Sequence, residues 1–384
     1  MRSRASARHE PERKSAALLS SWAEFFRRNS VSDRHVRSVR VNGNAWQVSL
    51  QLGKNNASNG VLLNTVEDVC QGFRETASWN IVSFKFLKDT MCFAGEGYET
   101  RARSVVIMLE MALKTLREAG TLLNSFDRKT MSIDDMDWNC TSDFAFALPW
   151  DRAAACGTVL VPDFTFWAWP EAGLVPDFKT IATNLNGIHD AGDAEQKRCG
   201  WAGDPGMNLQ RPWFIGSAGR LPHLFEFVTP ASNVGTGGGR LSMETQAKRW
   251  ACTIDLPARG YSGRVPLLLH SGRPMLSVER APFGQNHFTD NVWYARKMIA
   301  GIHYLPVSYN LTNLEEAARV ALSEQGRDVG AQAGALARRE LTTEAAIRGL
   351  ADILKGIAGS STPAAGSPDA GGPDTGSPYV EFPR

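Results

Sequence analysis

The chain has 384 residues, 43% of them hydrophobic, and 42 basic against 40 acidic residues leave a formal charge of +2. That length supports two ordinary domains with real cores. The balanced charge excludes a general electrostatic nucleic-acid binder, and no run approaches the ~20 apolar residues that span a bilayer.

In chain order, residues 1–30 read as a polar arm leading into a short helix around Trp22 to Phe26. The arm is charged and lacks the apolar core of a signal peptide, so a cytoplasmic protein is expected. The six cysteines form no CxxC and no metal-ligand cluster. They read as free, mostly buried thiols of a reducing compartment. Val36, Val39 and Val41, then Asn42-Gly43, then Trp46, Val48, Leu50 and Leu52 predict a hairpin, Asn-Gly being the favoured two-residue turn. From Thr100 to Ala119 the apolar residues recur at helical spacing, with Gly120 where a C-cap belongs. Asp143 to Leu148 alternates as a strand, and Gly157 to Val161 reads as another, stopped by Pro162. Residues 185–210, rich in Gly, Asp and Asn, read as a linker or surface loop. The Gly-rich run Asn233 to Arg240 lacks the lysine of a P-loop and reads as a mobile loop.

The most informative stretch follows. An apolar strand, Ala251 to Leu256, runs into a Gly-bearing turn carrying Ser262 and Arg264. A short apolar helix, Val265 to Leu269, and a strand, Met275 to Val278, come next, the strand ending at Glu279. This βαβ order belongs to a parallel sheet and sets the turn at the strands' C-terminal edge, where ligands bind. Arg264 at a helix start adds a fixed cation to backbone N–H groups that face an anion. Beyond it, His303 to Val307 reads as a strand, Thr312 with Glu315 as a capping box, and helix continues to about Ile357. Residues 359–384, rich in Gly, Pro and Ser, are expected to be disordered.

The segments IDLPARGYSGRVPLLLHSGRPML and HYLPVSYNLTNLEEA resemble the protein O-glucosyltransferase and capsule-associated-protein family, glycosyltransferase family 90. The resemblance covers roughly Arg117 to Leu341 and is strongest after Trp250. It implies an α/β, GT-B-like fold: two Rossmann-like domains facing a cleft, residues 31–205 on the acceptor side and 206–358 on the nucleotide-sugar side. The implied activity is inverting transfer of a sugar from a UDP-sugar to a hydroxyl of a glycan or protein acceptor. The UDP-sugar is a co-substrate, and neither a metal nor another cofactor is expected.

The resemblance also assigns residues. Ser262, Gly263 and Arg264 would hold the diphosphate; alone, the same turn is an ordinary helix entry with a surface arginine. Gly216, Ser217 and Arg220, in RPWFIGSAGR, match an aromatic strand that ends in an Arg-Gly-Ser turn in the relatives, except that Ile215 stands where they have arginine. Glu279 would face the ribose, or be a solvated strand-end carboxylate. Inversion needs a carboxylate to take the acceptor's proton. Asp143 is the expected base and Asp137 its reserve, against a turn or cap role. In VPDFTFWAWPEAG, Phe166 and Trp167 would stack on a sugar ring or bury in the core. Asp163 and Glu171 flank them as weaker acid–base candidates. Three alternatives stand beside it: a metal-dependent transferase using Asp135 and Asp137, a non-catalytic nucleotide- or glycan-binding protein of the same fold, and a non-transferase α/β enzyme, for which the sequence offers no triad, metal or dinucleotide motif.

Overall fold

The computed structural model describes residues 35–42, 45–51, 81–87, 90–96, 99–121, 125–134, 137, 141–148, 157–169, 175–190, 192–208, 210–229, 241–258, 260–279 and 291–359. The N-terminal arm, the Asn233 to Arg240 run, Asp135, Glu171 and the C-terminal tail lie outside the described residues.

The first half builds one mixed sheet. The expected hairpin forms: β1 (His35–Asn42) pairs antiparallel with β2 (Ala45–Gln51), Asn42 opposite Ala45. β3 (Ile81–Leu87), β4 (Thr90–Glu96) and β5 (Ser125–Ser132) extend the antiparallel part. β6 (Phe144–Ala145) and β8 (Val159–Leu160) continue it in parallel, giving the order β1-β2-β4-β3-β5-β6-β8. This antiparallel part differs from the parallel sheet of a Rossmann domain. Hairpin connections such as Asn42 to Ala45 are too short to hold a crossover helix. Between β4 and β5 runs α1 (Glu99–Glu118). It ends as predicted: Gly120 has φ +72°, its N–H donates to Arg117 O at 2.9 Å, and Thr121 N–H donates to Leu116 O at 2.8 Å. This is a Schellman closure, for which glycine alone adopts the left-handed backbone without strain.

The single strand expected over Asp143 to Leu148 is broken at Phe146. β6 stays in the mixed sheet, while β7 (Ala147–Leu148) pairs antiparallel with β13 (Asn291–Val292) from the other half of the chain. Phe144 through Leu148 are all buried, so the alternating alanines, Ala145 and Ala147, face packed protein rather than solvent.

The second half is a five-stranded, wholly parallel sheet in the order β10-β9-β11-β12-β14. Its strands are β9 (Gln196–Ala202), β10 (Phe225–Val228), β11 (Trp250–Asp255), β12 (Met275–Val278) and β14 (Leu305–Val307). The linker expected over 185–210 is corrected here. α2 (Phe178–Asp190) reaches into it, and β9 is an inner strand of the sheet. Its polar first residues conceal the buried Cys199, Gly200, Trp201 and Ala202. Helices α3 (Gln210–Ala218), α4 (Met243–Arg249) and α5 (Val265–His270) connect the strands. α6 (Leu314–Ala321), α7 (Glu324–Glu340) and α8 (Thr343–Gly359) close the chain. The expected capping box is absent. Asn313 is the N-cap of α6, while Thr312 donates its hydroxyl to Asn310 Oδ1 at 2.9 Å.

Two cores result. One lies on a single face of the parallel sheet, where Phe214 of α3 and Ala318 of α6 meet Phe225, Ile254, Leu276 and Val307. The other crosses between the halves: Val82, Phe93 and Val106 share it with Phe166, Leu267, Leu269, Ala333 and Leu354. α8 packs along α1. Cys199 and Cys252 are free, buried and directly opposite one another on β9 and β11. Cys92 is disulfide-bonded, which corrects the expectation that every thiol is free and removes that argument for a reducing compartment. Among the described residues no helix is long and apolar enough to cross a membrane.

Candidate functional site

The order of the parallel sheet locates the site. From β9 the chain passes through α3 to β10 on one side, returns through α4 to β11 on the other, and continues outward to β12. The strand order therefore reverses between β9 and β11. At such a switch point the two connections leave in opposite directions and open a crevice beyond the strands' C-terminal ends.

The β11–α5 connection fills that position. Arg264 is 9% exposed, and its Nη1 donates to Ala202 O, the last residue of β9, at 2.8 Å. Its Nη2 lies 3.8 Å from Asp255 Oδ1, at the end of β11. Ser262 Oγ donates to that same oxygen at 2.6 Å. One carboxylate thus gathers the serine hydroxyl and the guanidinium at the mouth of the crevice. An arginine cannot be deprotonated at any ordinary pH, so Arg264 stays cationic, with the Asp255 carboxylate as its neighbouring anion.

Residues before and within α3 roof the other side. Arg211, also buried, donates from Nε to Pro257 O at 2.8 Å and from Nη1 to Asp204 O at 2.8 Å, with its guanidinium 5.4 Å from the Trp201 ring. Asn208 Nδ2 donates to Ala258 O at 2.9 Å, and Gln210 Nε2 reaches Glu279 O at 2.6 Å. Side chains before and at the start of α3 therefore tie down the ends of both β11 and β12. The sequence reading missed Arg211, Gln210 and Asp255. An acidic residue closing an apolar strand was the one legible signal, for Asp255; the other two are recognisable only from the carbonyls they meet.

The aromatic block of the first half lies against this loop. Asp163 is 4% exposed and caps a single 3₁₀ turn, Phe164–Phe166. Its carboxylate accepts from Thr165 N–H at 2.7 Å, from the Thr165 hydroxyl, and from the Tyr261 side chain. Burial raises its pKa from 3.8 to about 6, outweighing these donors. A carboxyl poised near neutrality by burial is the kind of group functional sites employ.

The expected site residues are only partly brought together. Ser262, Gly263, Arg264 and Glu279 all lie at the C-terminal edge of the parallel sheet, Glu279 exposed at the end of β12. Gly216 and Ser217 do not join them. They sit in α3 rather than in a strand and turn, and α3 runs back toward the opposite edge, where β10 begins. At ~1.5 Å per residue, Gly216 is about 9 Å along the helix from its start, and the exposed Arg220 lies beyond its end. Phe166 is fully buried, with its ring 5.1 Å from Phe178 and 5.8 Å from Trp293, so it is core and not a sugar platform. Trp167 is half-buried and packs against the same core.

Asp143 is half-buried at the entry to β6. It accepts from Thr130 N–H and the Thr130 hydroxyl, each at 2.8 Å, and pairs with Lys129 at 3.1 Å. Burial raises its pKa, but these three donors together hold it below the usual carboxylate value. Asp137 is buried, and its carboxylate takes the N–H and hydroxyl groups of Thr141 and Ser142. It serves as a loop brace. Among the described residues no group of three or more His, Cys, Asp or Glu side chains is arranged to hold a metal.

No protein-family model matches the chain, and no curated protein matches it.

Proposed function

We propose that the protein binds a nucleoside-diphosphate sugar at the β9/β11 switch point and transfers the sugar to a hydroxyl acceptor, as a GT-B-like transferase resembling family 90. The observation that carries this reading is Arg264, a permanent cation held by Ala202 O and Asp255 where the strand order reverses. A diphosphate beside it would have its charge offset in the ground state. The greater charge on the departing UDP would be stabilised more strongly. Ser262 Oγ supplies a nearby polar contact, and Glu279 lies at the neighbouring strand end for the ribose hydroxyls. The mixed sheet of the first half would carry the acceptor.

Asp143 remains the proposed base. Its lowered pKa keeps it ionised at neutral pH, as a base must be, yet Thr130 and Lys129 occupy its lone pairs. Proton abstraction therefore requires one of these donors to yield. That occupancy, and the placement of Gly216 and Ser217 in α3, favour a second reading: a nucleotide-binding protein of this fold without transfer. Calorimetric titration of UDP, with EDTA and with Mn²⁺, tests the site. Binding that survives EDTA and is lost in a folded Arg264→Ala variant supports it. Loss of a transition-state charge partner should also lower turnover by ~10²-fold or more. Unchanged affinity in the folded variant overturns the assignment. Binding only with Mn²⁺ moves it to a metal-dependent transferase, and binding without donor cleavage favours the second reading.

A further inference from the structure

The 260–264 loop meets the other half of the chain at Tyr261, whose ring lies 6.5 Å from Phe146, and at Gly263, and both places adjoin one buried carboxylate. Asp163 accepts from the Tyr261 side chain, one residue before Ser262. It also accepts from both the N–H and the hydroxyl of Thr165, which fixes that side chain. Thr165 in turn abuts Gly263: a Cβ built there would meet Thr165 Cγ2 at 2.8 Å and Trp169 Cζ3 at 3.4 Å. Trp169 is held on its other sides by the Phe164 ring, 5.7 Å away edge-on, and by the Arg101 guanidinium of α1 at 5.8 Å. Within the loop's own half, Tyr294 Oη donates to Ser262 O at 3.4 Å, a longer and weaker tie.

We propose that Asp163 is a positioning residue: through Tyr261 and Thr165 it pins the Ser262–Arg264 loop to the aromatic block of the first half, holding the loop in its ligand-ready shape. The inference rests on reading that loop as the nucleotide site. Asp163 itself is buried beneath the block and would not touch the ligand. Its burial and raised pKa are what a carboxyl kept for its acceptor geometry, at a cost in stability, would show.

The test is hydrogen–deuterium exchange of the peptide spanning residues 256–265, together with UDP calorimetry, in Asp163→Ala, Asp163→Asn and Tyr261→Phe. Asp163→Ala should raise exchange in this peptide, and weaken UDP binding, by about tenfold or more, as loss of buried acceptors predicts. Asp163→Asn keeps an oxygen for Thr165 and a polar partner for Tyr261, so it should remain close to wild type. Loop exchange unchanged in Asp163→Ala, or Asn as damaging as Ala, overturns the proposal. Should Asp163→Ala unfold, Tyr261→Phe decides: exchange must rise in 256–265 above the rest of the parallel sheet, and a uniform rise overturns the pin. If wild type binds no UDP but the exchange pattern holds, the pin stands and the nucleotide reading falls. If UDP binds wild type and Asp163→Ala alike with the loop unchanged, the pin falls and the nucleotide site stands.

Discussion

Asp163→Asn should change how stability depends on pH, and the size of the change follows from burial. The carboxyl is 4% exposed, and its pKa rises from 3.8 to about 6 in the fold. The folded state therefore prefers the protonated acid. That preference contributes stability in full below pH 3.8, loses it as pH rises toward 6, and is absent above. At about 1.4 kcal/mol for each tenfold change in proton affinity, the loss comes to roughly 3 kcal/mol. Asparagine keeps an acceptor oxygen without the charge, so the variant should not pay it. The assay is urea unfolding of both proteins from pH 4 to pH 8, taking the difference between them so that other titrating groups cancel. Wild type should weaken relative to the variant by roughly 3 kcal/mol between pH 4 and neutrality, then run parallel to it. A flat difference, or wild type gaining on the variant as pH rises, would refute the reasoning. It would mean that Thr165 and Tyr261 hold the carboxylate ionised more strongly than burial opposes it.

Other perturbations act on separate parts of the fold. His270 has its pKa lowered, chiefly by burial, while its Nε2 donates to Leu341 O at 3.1 Å. The fold prefers the neutral ring, so wild type should lose stability relative to His270→Gln as pH falls below 6.5, the reverse of the Asp163 trend, in the same unfolding series. Gly200→Ala in β9 drives a methyl into the buried Trp250 indole and should cost about 1–3 kcal/mol or more, read from the urea midpoint. A midpoint at the wild-type value would show that the indole can move aside. Ser262→Ala takes one donor from the buried Asp255 and should cost about 1–3 kcal/mol; chemical denaturation that shows no loss would mean another group replaces the hydroxyl.

The βαβ unit from β11 to β12 was legible because its signals are local. A short apolar run, a Gly-bearing turn, a second apolar run and a strand follow one another with no competing pattern, and Met275–Val278 forms as read. Gly120 was legible for the same reason. β9 was not, since its first three residues are Gln, Lys and Arg, and only its neighbours on both sides make it an inner strand. RPWFIGSAGR lost its expected strand because the connection from β9 to the parallel β10 must cross back over the sheet, and a helix supplies that crossover. The candidate carboxylates were ranked by the family resemblance, and nothing in their local sequence told their surroundings apart. Asp143 and Asp163 each begin an aromatic run, yet one meets Lys129 and Thr130 at a half-exposed position, while the other is enclosed with Thr165 and Tyr261. Partners 13 and 98 residues away along the chain leave no trace near either aspartate.

The β7–β13 ladder and the shared core have a consequence for how such a chain can change over time. Leu148 is matched to Asn291, and Phe166 is wedged between Phe178 and Trp293, so the two sheets are fitted to each other and not merely joined. They are not interchangeable modules. A chimera that took its second sheet from another protein would have to import the matching aromatic block as well. New specificity is therefore easier to reach by altering the loops above the parallel sheet than by recombining its halves.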